Sequence, residues 1–170
     1  MKRTTLALAV AIAAAAGVLI SGGLATSQGP ATEQLFGALS GANEIGPDGK
    51  KRAGDPDGSG GATGTIDPQP GPNDTLCVGL VFKNLGTPAA AHIHRGGANV
   101  NGPVVVGFFG PPTQNPPPPN GDPGSFSTCT SISDTLAGEL LKNPHDFYWN
   151  VHTNQFPGGA IRDQVSSKKA

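Results

Sequence analysis

The sequence predicts an all-β fold, an antiparallel Greek-key β-sandwich with one short helix and long loops. Its 170 residues include 26 glycines and 17 prolines, about a quarter of the chain and roughly twice the usual share. Short apolar runs such as residues 76–82 and 104–109 lie between these turn-forming residues. Many short strands joined by turns are typical of a sandwich, and the length allows one ordinary domain.

The first 25 residues have the organisation of a secretory signal peptide. Lys2 and Arg3 precede an apolar run over residues 6–20, and small residues follow as far as Ala25, which is the order that export signals show. The run is shorter than the roughly 20 residues that span a membrane, so we predict cleavage, with a membrane anchor as the alternative. We expect residues 26–32 to be a flexible lead and the mature protein to be secreted or held in the cell envelope, with no membrane span.

The strands are predicted from alternation of apolar and polar residues at period two. This pattern is clearest at Leu76, Val78, Leu80 and Phe82, which fall on one face. The predicted strands are a first strand through Phe36 and Ala38 into residues 39–44, then residues 62–67, 75–83, 89–95, 103–109, 126–132, 147–153 and 160–165.

The segments between the strands are predicted from their turn and capping residues. Residues 47–64 form a polar, glycine-rich loop, and residues 111–124, with seven prolines, form an exposed, extended loop. Ser133 is placed to cap a short helix over residues 134–141. Residues 166–170 are predicted to be a polar, frayed tail.

Gly158 and Gly159 are predicted to form the tight reversal of a hairpin, because glycine tolerates positive φ. Arg162 follows in the next strand, where it is available to a carboxylate, to a ligand anion or to packing on histidines. Residues 55–60 contain two aspartates among glycines, a pattern that local turns share with calcium loops. The glutamate that closes the helix-flanked calcium loop is missing, so turn formation is the preferred interpretation.

Two cysteines, Cys77 and Cys129, are the only ones in the chain. An oxidising compartment favours their pairing, which would close a loop of about 50 residues and stabilise the fold by roughly 4 kcal/mol. Two free buried thiols are the alternative. Neither cysteine belongs to a C-x-x-C motif, so the sequence does not support redox catalysis.

Three histidines are placed where they can converge. His92 and His94 share one face of a strand because side chains repeat every second residue, and His152 lies on the strand face opposite Trp149. If these strands are neighbours, three imidazoles meet, and neutral imidazole binds zinc and copper. His145, in the preceding loop, is the less suitable fourth ligand.

Two other roles for these histidines stay open. They can be structural anchors, with each ring nitrogen bonded to a carbonyl, a carboxylate or an amide. Asn150 and Arg162 are candidates for that network, and the charge of Arg162 would repel a bound cation. General acid–base work is the third role, whereas no serine or cysteine at motif spacing supports a hydrolase. Histidines buried in the neutral form would also make stability fall below about pH 6.

Composition excludes one class of partner. The formal net charge is −1, and the chain has 9 aromatic residues. A protein with neither a basic patch nor a row of stacking aromatics has no means of holding nucleic acid.

Four motifs together resemble the CHRD domain, a module named from chordin. They are, in chain order, Leu39-Ser40-Gly41-Ala42-Asn43-Glu44, Ala91-His92-Ile93-His94, Asn150-Val151-His152-Thr153 and Pro157-Gly158-Gly159-Ala160-Ile161-Arg162.

The resemblance covers residues 33–165 and implies an extracellular sandwich of immunoglobulin-like type. Most bacterial members have no assigned activity, and those similar to this chain carry two cysteines near the same positions. Asp163 stands where the family usually has glycine, which affects only the geometry of the last strand. The two histidine-bearing strands are also similar to those of copper/zinc superoxide dismutase, although its further histidines and aspartate have no counterpart here.

We therefore expect a secreted, non-catalytic binding or structural module. Its partner would be an extracellular protein, a glycan or an envelope component, bound by the loops at residues 47–64 and 111–124. The alternative is a copper- or zinc-binding protein with a superoxide dismutase-like fold and His92, His94 and His152 as ligands.

Overall fold

The computed structural model describes residues 33–168. The predicted signal peptide and flexible lead lie outside the described residues. The strands are β1 (Glu33–Ser40), β2 (Ser59–Asp67), β3 (Asn73–Lys83), β4 (Pro88–Arg95), β5 (Val104–Phe109), β6 (Gly124–Ser133), β7 (Phe147–Thr153), β8 (Ile161–Gln164) and β9 (Ser166–Lys168), and the helix α1 is Asp134–Lys142. Short 3-10 helices cover Gly41–Asn43 and Pro144–Asp146.

The strands form one antiparallel sheet in the order β5-β4-β7-β8-β1-β2-β3-β6, with β9 paired to β1. The sheet folds over on itself, because the Trp149 indole of β7 lies against Gly64 of β2, three strands away in that order. The two end strands also approach each other, with the rings of Phe109 and Phe126 4.8 Å apart. The predicted all-β antiparallel fold is confirmed, as a nearly closed sheet of two facing layers.

The core lies between the layers, with Trp149 at its centre. Trp149 is 1% exposed, and its indole N–H donates to the carbonyl of Phe36 at 3.0 Å. Gly37 leaves room for the indole, since a Cβ at that position would overlap the ring. The alternating residues of β3 are all buried in this core, as their period predicts.

Cys77 and Cys129 form the predicted disulfide. They are direct partners in the register of β3 and β6. Their neighbours Leu76 and Val78 are buried, so alternation puts the disulfide on the outer face of the sheet.

The helix begins and ends close to the predicted positions. The Ser133 hydroxyl accepts a hydrogen bond from the backbone N–H of Leu136 at 3.2 Å, and Ala137 and Leu140 are buried. The capping residue and the apolar face therefore predicted this element correctly.

Three boundaries differ from the predictions. Residues 41–43 form a 3-10 helix instead of continuing the first strand, because the Ser40 hydroxyl accepts from the N–H of Ala42 and starts the turn. Strand β2 begins at Ser59, inside the predicted loop 47–64. Ser166–Lys168 pair with β1 as β9 instead of fraying, and the Ser166 hydroxyl donates to the carbonyl of Phe36 at 3.2 Å.

In the part of the chain that the structure describes, no helix is long and apolar enough to cross a membrane.

Candidate metal centre

Strands β4 and β7 are direct neighbours in the sheet, which brings the three histidines together. In their register His92 lies opposite Asn150, His94 opposite Tyr148, and Ala90 opposite His152. Trp149 and Val151, which alternate with these residues along β7, are buried in the core. The histidines therefore lie on the outer face of this layer.

The three imidazoles form a compact triangle. Ring centroids are 5.4 Å apart for His92 and His94, 5.1 Å for His92 and His152, and 5.9 Å for His94 and His152. One nitrogen of each ring lies within 4.8 Å of the other two. Within residues 33–168, this is the one group of three or more histidine, cysteine or carboxylate side chains with that spacing.

A backbone carbonyl holds each ring by its other nitrogen. The N–H groups donate from His92 Nε2 to Pro111 at 2.6 Å, from His94 Nδ1 to Gly102 at 2.9 Å and from His152 Nδ1 to Pro157 at 3.0 Å. Because a carbonyl oxygen only accepts, the bonded nitrogen must carry the proton. In a neutral imidazole the remaining nitrogen then carries a lone pair. These three bonds fix the tautomer of every ring, which is how proteins commonly orient metal-binding histidines.

The three lone-pair nitrogens have no protein partner. His92 Nδ1, His94 Nε2 and His152 Nε2 are buried, and none has a hydrogen-bond partner among the described residues. Three acceptors cannot satisfy one another, and each unpaired buried acceptor costs about 1–3 kcal/mol. The cluster therefore calls for a group from outside the protein chain, which is a water that donates hydrogen bonds, a proton or a cation.

Burial opposes protonation of the cluster. Desolvation lowers the pKa of His92 and His94 below the ordinary value and lowers the pKa of His152 to about 4. For His94 and His152, repulsion between neighbouring imidazolium charges lowers the pKa further. At neutral pH all three rings are neutral, the state in which imidazole ligates metals.

Asn150 lies directly beside the triangle, opposite His92 and two residues before His152 on the same strand face. Its amide Nδ2 donates to Glu44 Oε1 at 2.9 Å. Its Oδ1 is buried and has no partner within the described chain. Glu44 is 1% exposed, and burial raises the pKa of this carboxyl to about 7.

Gly159 makes room for that carboxyl group. Its φ is +136°, and a Cβ at this position would lie 2.5 Å from Glu44 Oε2. The structure thus places Gly158 and Gly159 in the predicted turn. It also shows a packing reason for the second glycine that the turn alone does not provide.

Arg162 does not contact the histidines. Its guanidinium lies 3.4 Å from the centre of the Tyr148 ring, and Tyr148 in turn stacks on His94 with centroids 4.8 Å apart. The same guanidinium donates to the carbonyls of Gly97 and Val100 at 2.8 and 2.9 Å. Arg162 and Asn150, the candidates for a network with the histidines, thus make their side-chain hydrogen bonds elsewhere, and backbone carbonyls hold the rings.

Two other sequence candidates lie apart from the triangle. His145 is in the 3-10 helix Pro144–Asp146, is exposed and is not a member of the group. Asp55 lies in the loop before β2, where its backbone N–H donates to the carbonyl of Ala160 at 2.9 Å.

Asp163 makes a side-chain hydrogen bond that a glycine at this position could not make. Its Oδ2 accepts from the backbone N–H of Ala38 at 2.7 Å. Between β1 and β8 only Ser40 and Arg162 are paired in the backbone register. The Asp163 carboxylate thus extends the contact between these two strands.

A cleft of about 340 Å³ leads to the histidines from outside. It is lined by His92 and His152 together with Pro111 and Pro157, whose carbonyls hold the rings. A separate groove of about 790 Å³ runs over the outer face of β1, β2, β3 and β6 and includes no histidine.

Sequence reasoning missed three parts of the site. It did not identify Glu44 as the partner of Asn150 or Tyr148 as the ring between His94 and Arg162. It also did not identify the carbonyls that set the tautomers, since a main-chain oxygen leaves no trace in the identity of its residue. Glu44 alone had a signal, because it ends the first of the four motifs quoted above.

Comparison with known proteins identifies a family. The family model described as CHRD domain matches residues 35–165, more than half of the chain. Searches of curated proteins and of solved structures found no significant match.

Proposed function

The chain belongs to the CHRD domain family, and on that premise we propose that it is an exported module that binds one zinc or copper ion through His92, His94 and His152. Two observations carry the proposal: each of the three rings brings one nitrogen within 4.8 Å of the other two, and each ring has one buried nitrogen without a hydrogen-bond partner in the described chain. Their opposite nitrogens are all fixed by carbonyls.

The arrangement suits these metals in ligand type and number. Zinc and copper both accept neutral imidazole, and three protein ligands leave a further position for a small molecule. Zinc lies about 2.0–2.1 Å from each nitrogen, which puts tetrahedral ligand atoms about 3.3 Å apart. The nitrogens therefore need to draw together on binding, and the cleft beside His92 and His152 leaves a path for the ion.

A purely structural role explains the cluster less well. Anchoring histidines gain stability when both ring nitrogens have partners, but here only one nitrogen of each ring has one. Collecting three unpaired acceptors in one buried place costs stability unless something binds them. A bound cation satisfies the unpaired nitrogens, so the stability that they cost the metal-free protein is recovered on binding and favours the bound state.

The test is metal binding by the purified, chelator-treated protein. We expect isothermal titration with zinc sulfate, and separately with copper sulfate, to show one ion per chain. Binding to the folded state alone stabilises by about 2.7 kcal/mol at a free metal concentration one hundred times the dissociation constant, so the melting temperature should rise with the metal.

Matched variants separate the cluster from adventitious binding. His152→Gln should lose affinity by more than the roughly 10- to 100-fold that removal of an outer-shell partner typically costs. His145→Gln changes an exposed histidine outside the triangle and should bind like the unaltered protein. Equal affinities for the two variants, or no stoichiometric ion in the unaltered protein, would refute the proposal.

The cellular setting and the partner are part of the same proposal. Support for export comes from the order of charged, apolar and small residues over residues 2–25 and from the disulfide. A non-catalytic role with an extracellular protein, a glycan or an envelope component would use the loops at residues 47–58 and 111–123. Both contact Asn84, whose Nδ2 donates to the carbonyl of Asp57 at 3.5 Å and whose backbone N–H donates to Asp122 Oδ1 at 3.4 Å.

A further inference from the structure

Asn150 carries an unpaired oxygen beside the proposed metal position. The residue is 3% exposed, and Oδ1 has no hydrogen-bond partner among residues 33–168. Arg162, its register partner on β8, sends its donors to loop carbonyls and to other amides instead. An unpaired buried carboxamide oxygen destabilises the fold, so its position calls for a hydrogen-bond donor that the protein itself does not provide.

The orientation of the amide is fixed from the opposite side. Nδ2 donates to Glu44 Oε1 at 2.9 Å, so Oδ1 is the end left for the site. The carboxyl of Glu44 is confined by Gly54 and Gly159, where an added Cβ would lie 2.5 Å from Glu44 Cγ and from Glu44 Oε2, respectively. The close packing of these two glycines against Glu44 favours the carboxyl position that holds the amide.

The register places Asn150 among the three ligands. On this face of the sheet, the pair His92 and Asn150 lies between two other register pairs. His152 belongs to the pair on one side, and His94 belongs to the pair on the other side. Directly opposed residues on one sheet face have Cβ atoms about 4.5–5.5 Å apart, and diagonal neighbours are still within reach of long side chains. Asn150 thus lies on the same outer face as the three histidines and directly opposite His92.

We propose that Asn150 is a positioning residue whose Oδ1 accepts a hydrogen bond from the exogenous ligand of the ion, so that the fourth position selects small oxygen ligands that carry a proton. Water, hydroxide and hydroperoxide have the required O–H. Azide and halide ions have only lone pairs and meet the oxygen of Asn150 as a second acceptor. This inference rests on the proposed function, because it needs an ion at the three histidines.

The experiment uses the copper(II)-loaded protein and azide as the probe. Asn150→Leu keeps nearly the same shape but has no acceptor, and removal of one acceptor–acceptor conflict of about 1.4 kcal/mol corresponds to a tenfold change in affinity. We expect azide, followed by its charge-transfer band, to bind about tenfold more tightly to Asn150→Leu than to the unaltered protein. Asn73→Leu, which changes an exposed asparagine at the start of β3 and away from the cleft, should leave azide affinity unchanged.

A second measurement needs no variant. Pulsed electron paramagnetic resonance of the unaltered copper(II) protein, exchanged from H₂O into D₂O, should detect exchangeable deuterons on an oxygen bound to copper. Absence of those deuterons, or equal azide affinity with and without Asn150, would overturn this inference. If the unaltered protein bound no copper at all, the proposed function itself would fail, and the stoichiometry measured first distinguishes the two results.

Discussion

Acidification of the metal-free protein is expected to cost stability through the buried histidines. His152 has a pKa of about 4 in the folded protein and about 6.5 when unfolded. The unfolded chain binds the proton first, so this contribution to stability is complete above pH 6.5 and is lost as the pH falls toward 4. The loss at pH 4.5, relative to neutral pH, is about 2.5 kcal/mol for His152 alone.

On acidification the measured stability of the unaltered protein will fall by less than this amount, because Glu44 contributes to stability in the opposite sense. Its folded pKa is about 7, above the unfolded value of about 4.3. The contribution of Glu44 is therefore complete at low pH and is lost as the pH rises through 7. Over the same interval it gains about 2.5 kcal/mol on acidification, nearly equal to what His152 loses, so a flat melting temperature would not contradict neutral buried histidines.

The informative quantity is the difference between the unaltered protein and His152→Gln. Glutamine does not titrate, and Glu44 is common to both chains, so its contribution cancels. Urea unfolding at pH 7.5, 6.5, 5.5 and 4.5, followed by the fluorescence of Trp149, the only tryptophan, gives this difference. At an m-value of about 2 kcal/mol per molar urea, the midpoint difference should change by about 1 M between pH 7.5 and 4.5.

A matched substitution and a clear contrary result complete this test. His145→Gln changes an exposed histidine outside the triangle and is the control for the loss of an imidazole elsewhere in the chain. A midpoint difference for His152→Gln that stays constant from pH 7.5 to 4.5 would refute the reasoning. It would mean that His152 is as easily protonated in the folded protein as in the unfolded chain.

Three further predictions concern the cross-link, the core and the buried carboxyl. The double substitution Cys77→Ser, Cys129→Ser should lower the free energy of unfolding by about 2–5 kcal/mol in urea titration. A loss near zero, both in this variant and in the unaltered protein after reduction, would contradict this prediction. Gly37→Ala should cost about 1–3 kcal/mol by overpacking and should change the near-ultraviolet circular dichroism of Trp149, whereas an unchanged spectrum and stability would show that the indole has space to move. Glu44→Gln removes the opposing titration, so its stability should fall more steeply than that of the unaltered protein between pH 7 and 4.5; parallel profiles would show that the Glu44 carboxyl has an ordinary pKa.

Local patterns predicted the elements well because they depend on neighbouring residues. Period-two alternation placed β3 with its apolar side chains inside, and Ser133 marked the start of the helix. The same alternation put His92 and His94 on one face. What it did not give was the order of strands in the sheet, because β1 pairs with β2, β8 and β9 through contacts between residues distant in sequence.

The sequence predicted that the three histidines meet only on the condition that their two strands are neighbours in the sheet. Alternation puts His152 on the face opposite Trp149, but the meeting of three rings also requires β4 to lie beside β7. The structure shows that adjacency, with Ile93 opposite Trp149. Ring orientation was beyond sequence reasoning, since it is set by main-chain carbonyls that any residue at those positions would supply.

The loops and the histidine triangle are consequently one physical unit. The carbonyls that fix the tautomers belong to Gly102, Pro111 and Pro157, one in each of the three connections that follow β4, β5 and β7. The three rings keep their orientations only while all three connections keep their conformation. The loop at residues 111–124, which the sequence marks as a binding surface, therefore also holds His92.

Deletion of this loop would remove the anchor of a metal ligand together with any partner contact. A loss of partner binding in such a variant would therefore not by itself distinguish a loop surface from a metal-dependent one. Replacing the exposed Pro116, Pro117 and Pro119 by serine separates the two. These changes leave Pro111 in place, together with the hydrogen bonds of Thr113 and Asn115 to Gly110 and Phe108 that hold the start of the loop.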